Sequence, residues 1–204
     1  MQKKYLIIFF VLFIIGYLGI HAVRAQTIDI SPTISIEPSP IPTNQSDYFL
    51  KIDGIPGEST DEKHKDEIEI LSFKWGESQR GATQSSGGAS SSGKVNMQDF
   101  HFVMKFNKAS PKLFLSCASG EHFQKAVLIV RKAGKDDQEY LKWTLSDVVC
   151  SSYQTAGSNP QVPNDQFSLN FNKIEVEYKP QKADGTLDSP VKAGWDLKKN
   201  KPLP

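Results

Sequence analysis

Catalysis requires a base or nucleophile held against a partner of matched pKa, and a bound metal requires three or more converging ligands. The chain offers four histidines, two cysteines and three tryptophans for such work. His21 directly follows an apolar N-terminal run. His101 alternates with Phe100 and Phe102, on the polar side of an extended segment, and His122 beside Glu121 follows a helix signal and reads as a capping or interface residue. Only His64 has several acidic neighbours, Asp61, Glu62 and Asp66, and their spacing fits no cation-binding loop. Such a charged run reads as a solvated face. Residues 88–94, Gly-Ala-Ser-Ser-Ser-Gly-Lys, reproduce the glycine and lysine spacing of a phosphate-binding loop. Val95, however, stands where a Ser or Thr is required, and no strand-before, helix-after pattern surrounds the segment. Trp75, Trp143 and Trp195 could make a sugar-stacking platform, but Trp75 and Trp143 fall in phase with apolar neighbours and read as packing residues. These residues predict no catalytic, metal or cofactor site, and a protein that is not an enzyme.

The elements that position these residues begin after a distinct N-terminal segment. Lys3 and Lys4 precede an apolar run over residues 5–20, and Val23-Arg24-Ala25 offers small residues at the positions a signal peptidase reads. Residues 1–25 are therefore expected to be a secretory signal, with an uncleaved membrane anchor as the alternative. Residues 26–46 carry Pro32, Pro38, Pro40 and Pro42 and read as a semi-rigid tether. Residues 47–200 form the domain, with a length suited to a single core. Removing residues 1–25 takes away three of the 24 basic residues and no acid, leaving 21 against 23 acidic ones and a net charge near −2. Its lysines are interleaved with acids, so nucleic acid is not an expected partner. Cys117 and Cys150 are too few for a disulfide framework. Export permits one bond between them, and two buried free thiols are expected from their apolar settings.

Within the domain, apolar residues recur at every second position, as in half-buried strands. Three segments change phase once. Ile68 and Ile70 give way to Leu71, Phe73 and Trp75; Val95 and Met97 to Phe100, Phe102, Met104 and Phe106; Phe167, Leu169 and Phe171 to Ile174, Val176 and Tyr178. A one-residue slip sends every later side chain to the other face unless a bulge or bend absorbs it, so these switches predict a coiling or closing sheet. One short helix is signalled, with Ser110 as N-cap, Pro111 in the first turn, Leu113 and Cys117 on one face and Gly120 as terminator. Residues 54–66 are polar, glycine-bearing and without a repeating apolar face, and a connection this long is more often functional. Residues 79–93 are small and polar and read as a loop, and Gly134-Lys135-Asp136-Asp137 reads as a turn. The expected fold is mainly β: a small closed or nearly closed β-barrel with one short α-helix packed alongside.

Five segments, DYFLKIDGIPGESTDEKHKDEIEILSFKWG, GKVNMQDFHF, SPKLFLSCASGEHFQKAVLIVRKAG, EYLKWTLSDVVCSS and FNKIEVEYKPQKADG, together resemble the Hcp family of type VI secretion tube subunits in order and spacing. The resemblance implies a small β-barrel with one helix. It also implies self-association into six-membered rings that stack into a hollow tube, with effector proteins in the lumen and sheath or tip proteins as further partners. It places the stacking loop at Gly54, Ile55, Pro56, Gly57, Glu58, Ser59, Asp61, His64 and Lys65, and the lumen wall at Ser72 and Lys74, which alternation sets opposite Phe73. Family members act from the cytoplasm without a cleaved export signal, and here this chain departs from the pattern. The departure leaves a second expectation open: an exported monomeric β-barrel binding module that uses the same fold without a contractile machine.

Overall fold

The computed structural model describes residues 46–79, 95–132 and 138–204. The secretory segment, all but the last residue of the tether, the phosphate-loop mimic up to Lys94 and the turn at residues 134–137 lie outside the described residues. Among the described residues there are eleven strands, built on alternating apolar residues, and one helix. In chain order they are β1 (Ser46–Ile52), β2 (Ile68–Glu69), β3 (Ser72–Lys74), β4 (Glu77–Ser78), β5 (Asn96–Met97), β6 (Phe100–Lys105), α1 (Ser110–Ser119), β7 (His122–Lys132), β8 (Glu139–Ala156), β9 (Asn164–Tyr178), β10 (Val191–Asp196) and β11 (Lys201–Pro202). Among the described residues no helix is long and apolar enough to cross a membrane.

Three long antiparallel strands, β7, β8 and β9, form the centre, with β1 paired to the free side of β7. β9 divides its second edge, pairing with β6 over residues 164–169 and with β10 over residues 173–178. β2 continues from β1, and β3 from β6. Among the described residues no continuous ladder closes the sheet; the chain step between β2 and β3 spans the gap. The Ile70 N–H donates to Tyr48 O on β1 (2.9 Å), and the adjacent Leu71 N–H donates to Val103 O on β6 (2.8 Å). The result is a nearly closed barrel whose fully buried interior includes Leu50, Ile68, Phe100, Phe102, Met104, Phe167 and Leu169. Phe102 and Phe167, paired across β6 and β9, stack at 5.2 Å.

The phase switches mark where the chain bends. Ile68 and Ile70 are buried, and Phe73 and Trp75 pack against the core two and four residues past the slip. Leu71, expected on the face of Phe73 and Trp75, is instead 49% exposed, because the residue that steps between sheet edges is the one turned outward. Phe106, just past the end of β6, is also exposed. The switch on β9 belongs to a line that crosses three strands. Buried positions shift from Phe123 to Ala126 on β7, from Leu145 to Val148 on β8 and from Phe171 to Ile174 on β9. At the middle of that line Asp147 adopts a left-handed φ of 55°, and Asn172 Nδ2 across from it donates to the Asp147 carboxylate. A bend shared by three paired strands lets each change face while the ladder continues.

The helix differs from expectation at its start. Ala109 is the N-cap, with no side-chain cap bond, and Ser110 is the first helical residue. Asn107 supplies the local order instead: its Oδ1 accepts the Ala109 N–H (2.8 Å) while its own N–H donates to Ser110 Oγ (2.9 Å). Gly120 ends the helix at φ 69°, a conformation that glycine adopts without a Cβ penalty. The buried face, Ser110, Leu113 and Ser116, packs α1 against β8.

Candidate functional site

The segment between β1 and β2 holds the sequence-predicted stacking residues, and the fold draws it back onto its own domain. Gly54, at φ 82°, turns the chain, and the Ile55 side chain enters the core, 4% exposed. The loop then pairs with itself. The Gly57 N–H donates to Asp66 O (2.7 Å), Ser59 N–H to Glu67 O (3.0 Å) and Asp66 N–H to Ser59 O (2.9 Å). The two backbones approach so closely that a Cβ on Gly57 would stand 2.2 Å from Glu67 O, so only glycine fits.

His64 fastens the far end. Its ring is 2% exposed and stacks on Phe49 of β1, centroids 4.2 Å apart and nearly parallel. Nδ1 lies 3.0 Å from Glu67 Oε2, and Nε2 lies 3.5 Å from Glu139 Oε1 on β8. The Arg131 guanidinium on β7 also sits over the Phe49 ring, at 4.9 Å, and donates to Asp61 Oδ2 (2.7 Å) and Asp47 Oδ2 (3.0 Å). Burial raises the Asp61 pKa, but the bonds from Arg131 and the Lys63 and His64 N–H groups outweigh it and hold the carboxyl below its ordinary range. A second set of contacts ties the loop to the start of α1. Lys108 Nζ pairs with Asp66 (2.9 Å), the Lys108 N–H donates to Glu58 Oε1 (2.8 Å), and Lys112 Nζ donates to Gly54 O (3.2 Å). The hydrogen bond from Lys108 lowers the Asp66 pKa.

The loop is therefore not outside the core pattern, as its composition predicted. Ile55, Gly57, Ser59 and His64 are buried and Asp61 is half-buried, while Gly54, Pro56, Glu58 and Lys65 are exposed. Apolar periodicity could not find this, because apart from the lone Ile55 the buried groups are an imidazole, a hydroxyl and backbone. Asp47, Phe49, Glu67, Arg131 and Glu139, which complete the clamp, were also missed. The one usable signal was the arginine that directly follows the apolar strand run Ala126–Val130, where a charge needs a partner.

The second predicted set lies on β3. Ser72 and Lys74 are both exposed, opposite Val103 and His101 of β6. With His101, Lys105 and Gln166 they make a polar outer face on the β3–β6–β9 part of the sheet. The three tryptophans converge, but inward. Trp75, Trp143 and Trp195, with Met97, Ile174 and Val176, line a cavity of about 780 Å³. Trp75 and Trp143 are 5.2 Å apart, and Trp75 also stacks towards Phe100. His122 pairs with Asp147 (3.1 Å), and Lys198 Nζ approaches the same carboxylate (2.7 Å). Hydrogen bonds from Lys198, then His122, draw the Asp147 pKa down to about 2. Among the described residues no group of three or more His, Cys, Asp or Glu converges as a metal site would require.

A nearly closed barrel with one flanking helix and a loop stitched to its own sheet defines a class of protein that comparison makes definite. Residues 49–178 match the family model described as type VI secretion system effector, Hcp. Protein hcp1 of Pseudomonas aeruginosa is 44% identical over 157 residues, which cover 76% of this chain and 96% of that protein. The crystal structure of Hcp1 from Salmonella typhimurium superposes with a TM-score of 0.65 at 38% identity, covering 78% of this chain and 99% of that one. A solved type six secretion system protein gives a TM-score of 0.72 at 29% identity, covering 77% and 99%. The chain belongs to the Hcp family.

Proposed function

We propose that this chain is the tube subunit of a type VI secretion-like apparatus. In this reading it associates with itself into rings, six-membered as the family resemblance implies, that stack into a hollow tube able to carry effector proteins and to meet sheath and tip proteins. The observation that carries this reading is that the likeness is of whole domains: the chain covers 96% of the P. aeruginosa relative and 99% of two solved structures. A ring that stacks needs a rigid contact surface, because ordering a free loop at each contact opposes association. The clamped loop supplies the rigidity such a contact needs, with Gly54, Pro56, Glu58 and Lys65 at its surface. Ser72 and Lys74 are the proposed lumen wall, supported by their exposure on a polar sheet face. The role is structural and not catalytic. Residues 1–25 act as an export signal, or as an anchor where uncleaved, and place the domain outside the cytoplasm.

Native mass measurement and electron microscopy of the purified chain test the assembly. Closed rings and stacked tubes are expected; a strictly monomeric mass at high concentration with no rings on grids would overturn it in favour of the monomeric binding module. For the lumen wall, Lys74→Cys in a background lacking Cys117 and Cys150 should react with small thiol reagents and be shielded from bulky ones once tubes form. Equal labelling by both would place Lys74 outside.

A further inference from the structure

The chain contains three tryptophans, and the fold brings all three to one cavity of about 780 Å³. One side of it is a face of the β8–β9–β10 sheet. Trp143 pairs with Val176, which pairs with Ala193, and in the neighbouring row Leu145 pairs with Ile174, which pairs with Trp195. Trp143 and Trp195 therefore stand at diagonal corners of a small apolar platform. Trp75, just past β3, adds a further wall, its ring 5.2 Å from that of Trp143 at an interplanar angle of 52°. Phe100 packs against both, stacked towards Trp75 at 6.2 Å and edge-on to Trp143 at 5.8 Å. Two features then set what such a cavity holds. The indole Nε1 of each tryptophan is buried and meets no hydrogen-bond partner, so the rings turn carbon, not donors, to the space between them. Glu77 is the one charged side chain among the described residues that line it, and Gln79 and Asn200 are neutral amides. Glu77 sits on the β4–β5 pair directly opposite Met97, a second lining residue, and directly opposed residues share a face.

We propose that the tryptophan cavity is a binding site for a small quaternary ammonium compound, a free solute of the choline type. Its trimethylammonium head packs among Trp75, Trp143 and Trp195, and Glu77 supplies the countercharge. The chemistry follows from what the walls present. With the indole donors turned away, the cavity withholds its strongest hydrogen-bond donors from a sugar hydroxyl or a carboxylate. A carboxylate with no lysine or arginine beside it among the described lining residues disfavours an anion and attracts a cation. Aromatic faces carry negative charge density and attract a cation, most of all one whose charge is spread over alkyl groups that also gain from apolar contact. The volume lies within the roughly 300–1,000 Å³ range of small-molecule sites, so a whole solute enters and not its head alone. The site needs neither ring assembly nor export of the chain.

Because no tryptophan lies elsewhere in the chain, the intrinsic fluorescence of the full purified protein reports on this cavity alone. Choline chloride, titrated at constant ionic strength against sodium chloride, should give a saturable change in emission. Its uncharged isostere, in which a tert-butyl group replaces trimethylammonium, should bind about tenfold more weakly or worse. Glu77 is exposed, so Glu77→Gln should keep the wild-type Tm and weaken choline binding by roughly threefold to tenfold. No saturable response to choline up to about 50 mM overturns the proposal, since a site weaker than that selects nothing. Equal affinity for the uncharged isostere overturns it in favour of an apolar cavity without charge preference, and unchanged choline affinity in Glu77→Gln overturns the assigned countercharge. A response to phosphatidylcholine vesicles without one to free choline would move the site to a membrane surface and overturn it as well.

Discussion

The loop between β1 and β2 and the outer face of β3 are both polar, and both were assigned functional roles from sequence, yet they are physically opposite. The loop is polar because its side chains are spent inside the molecule: His64 on Phe49, Asp61 on Arg131, and Ser59 paired through its backbone. The β3 face is polar because Ser72 and Lys74 meet solvent in this chain. Mutations in the first should therefore unfold or loosen the domain before they affect assembly. Mutations in the second should leave the fold alone. Hydrophilic composition does not distinguish a surface available to a partner from one already used by the fold; burial and the identity of the partner atoms do.

The largest expected effect is at Gly57. Gly57→Ala puts a Cβ 2.2 Å from the Glu67 carbonyl oxygen, where backbone must move, and should cost about 3 kcal/mol or more in denaturant unfolding. A loss below about 1 kcal/mol would show that the loop yields easily and erase the contrast. Next is Arg131→Ala, which strands Asp47 and Asp61 and removes the cation from the Phe49 ring. A loss of about 3 kcal/mol is expected for one partner of a buried pair. A double-mutant cycle with Asp61→Asn should return a coupling of about 1 kcal/mol or more, where additive effects would mean the two act separately.

A pH titration sharpens the same point with a smaller signal. Asp61 has a folded pKa below its ordinary 3.8, so its contribution to stability is complete above that value and is lost as pH falls through the folded pKa. The Tm difference between wild type and Asp61→Asn should hold constant from pH 7 to about 5 and narrow below about 4. A difference that does not narrow on acidification would detach Asp61 from the clamp. The smallest effect is expected at Lys74→Glu, which reverses charge on an exposed position and should move Tm by no more than about 2 °C and leave the proposed ring assembly intact. A large loss of stability there would show that β3 is held by contacts of that side chain and abolish the distinction between the two regions.

Alternation and its interruptions determined much of this protein. Period-two patterning located the strands, the slips at residues 70–73, 97–100 and 171–174 signalled a coiling sheet, and Pro111 and Gly120 bounded the helix, because these are local consequences of side-chain direction and backbone freedom. The order of five segments was enough to suggest the family that the comparisons establish. Tertiary structure decided what local rules cannot reach. Which of Leu71 and Phe73 turns inward depends on where the chain steps between two sheet edges. The fate of the loop depends on Arg131 and Glu139, about 70 residues away in sequence, arriving beside Asp61 and His64. The meeting of Phe114 with Tyr153 depends on how α1 lies along β8. Each is a meeting between strands or between helix and strand, whose partners are set by the topology of the sheet and leave no periodic trace in either segment alone.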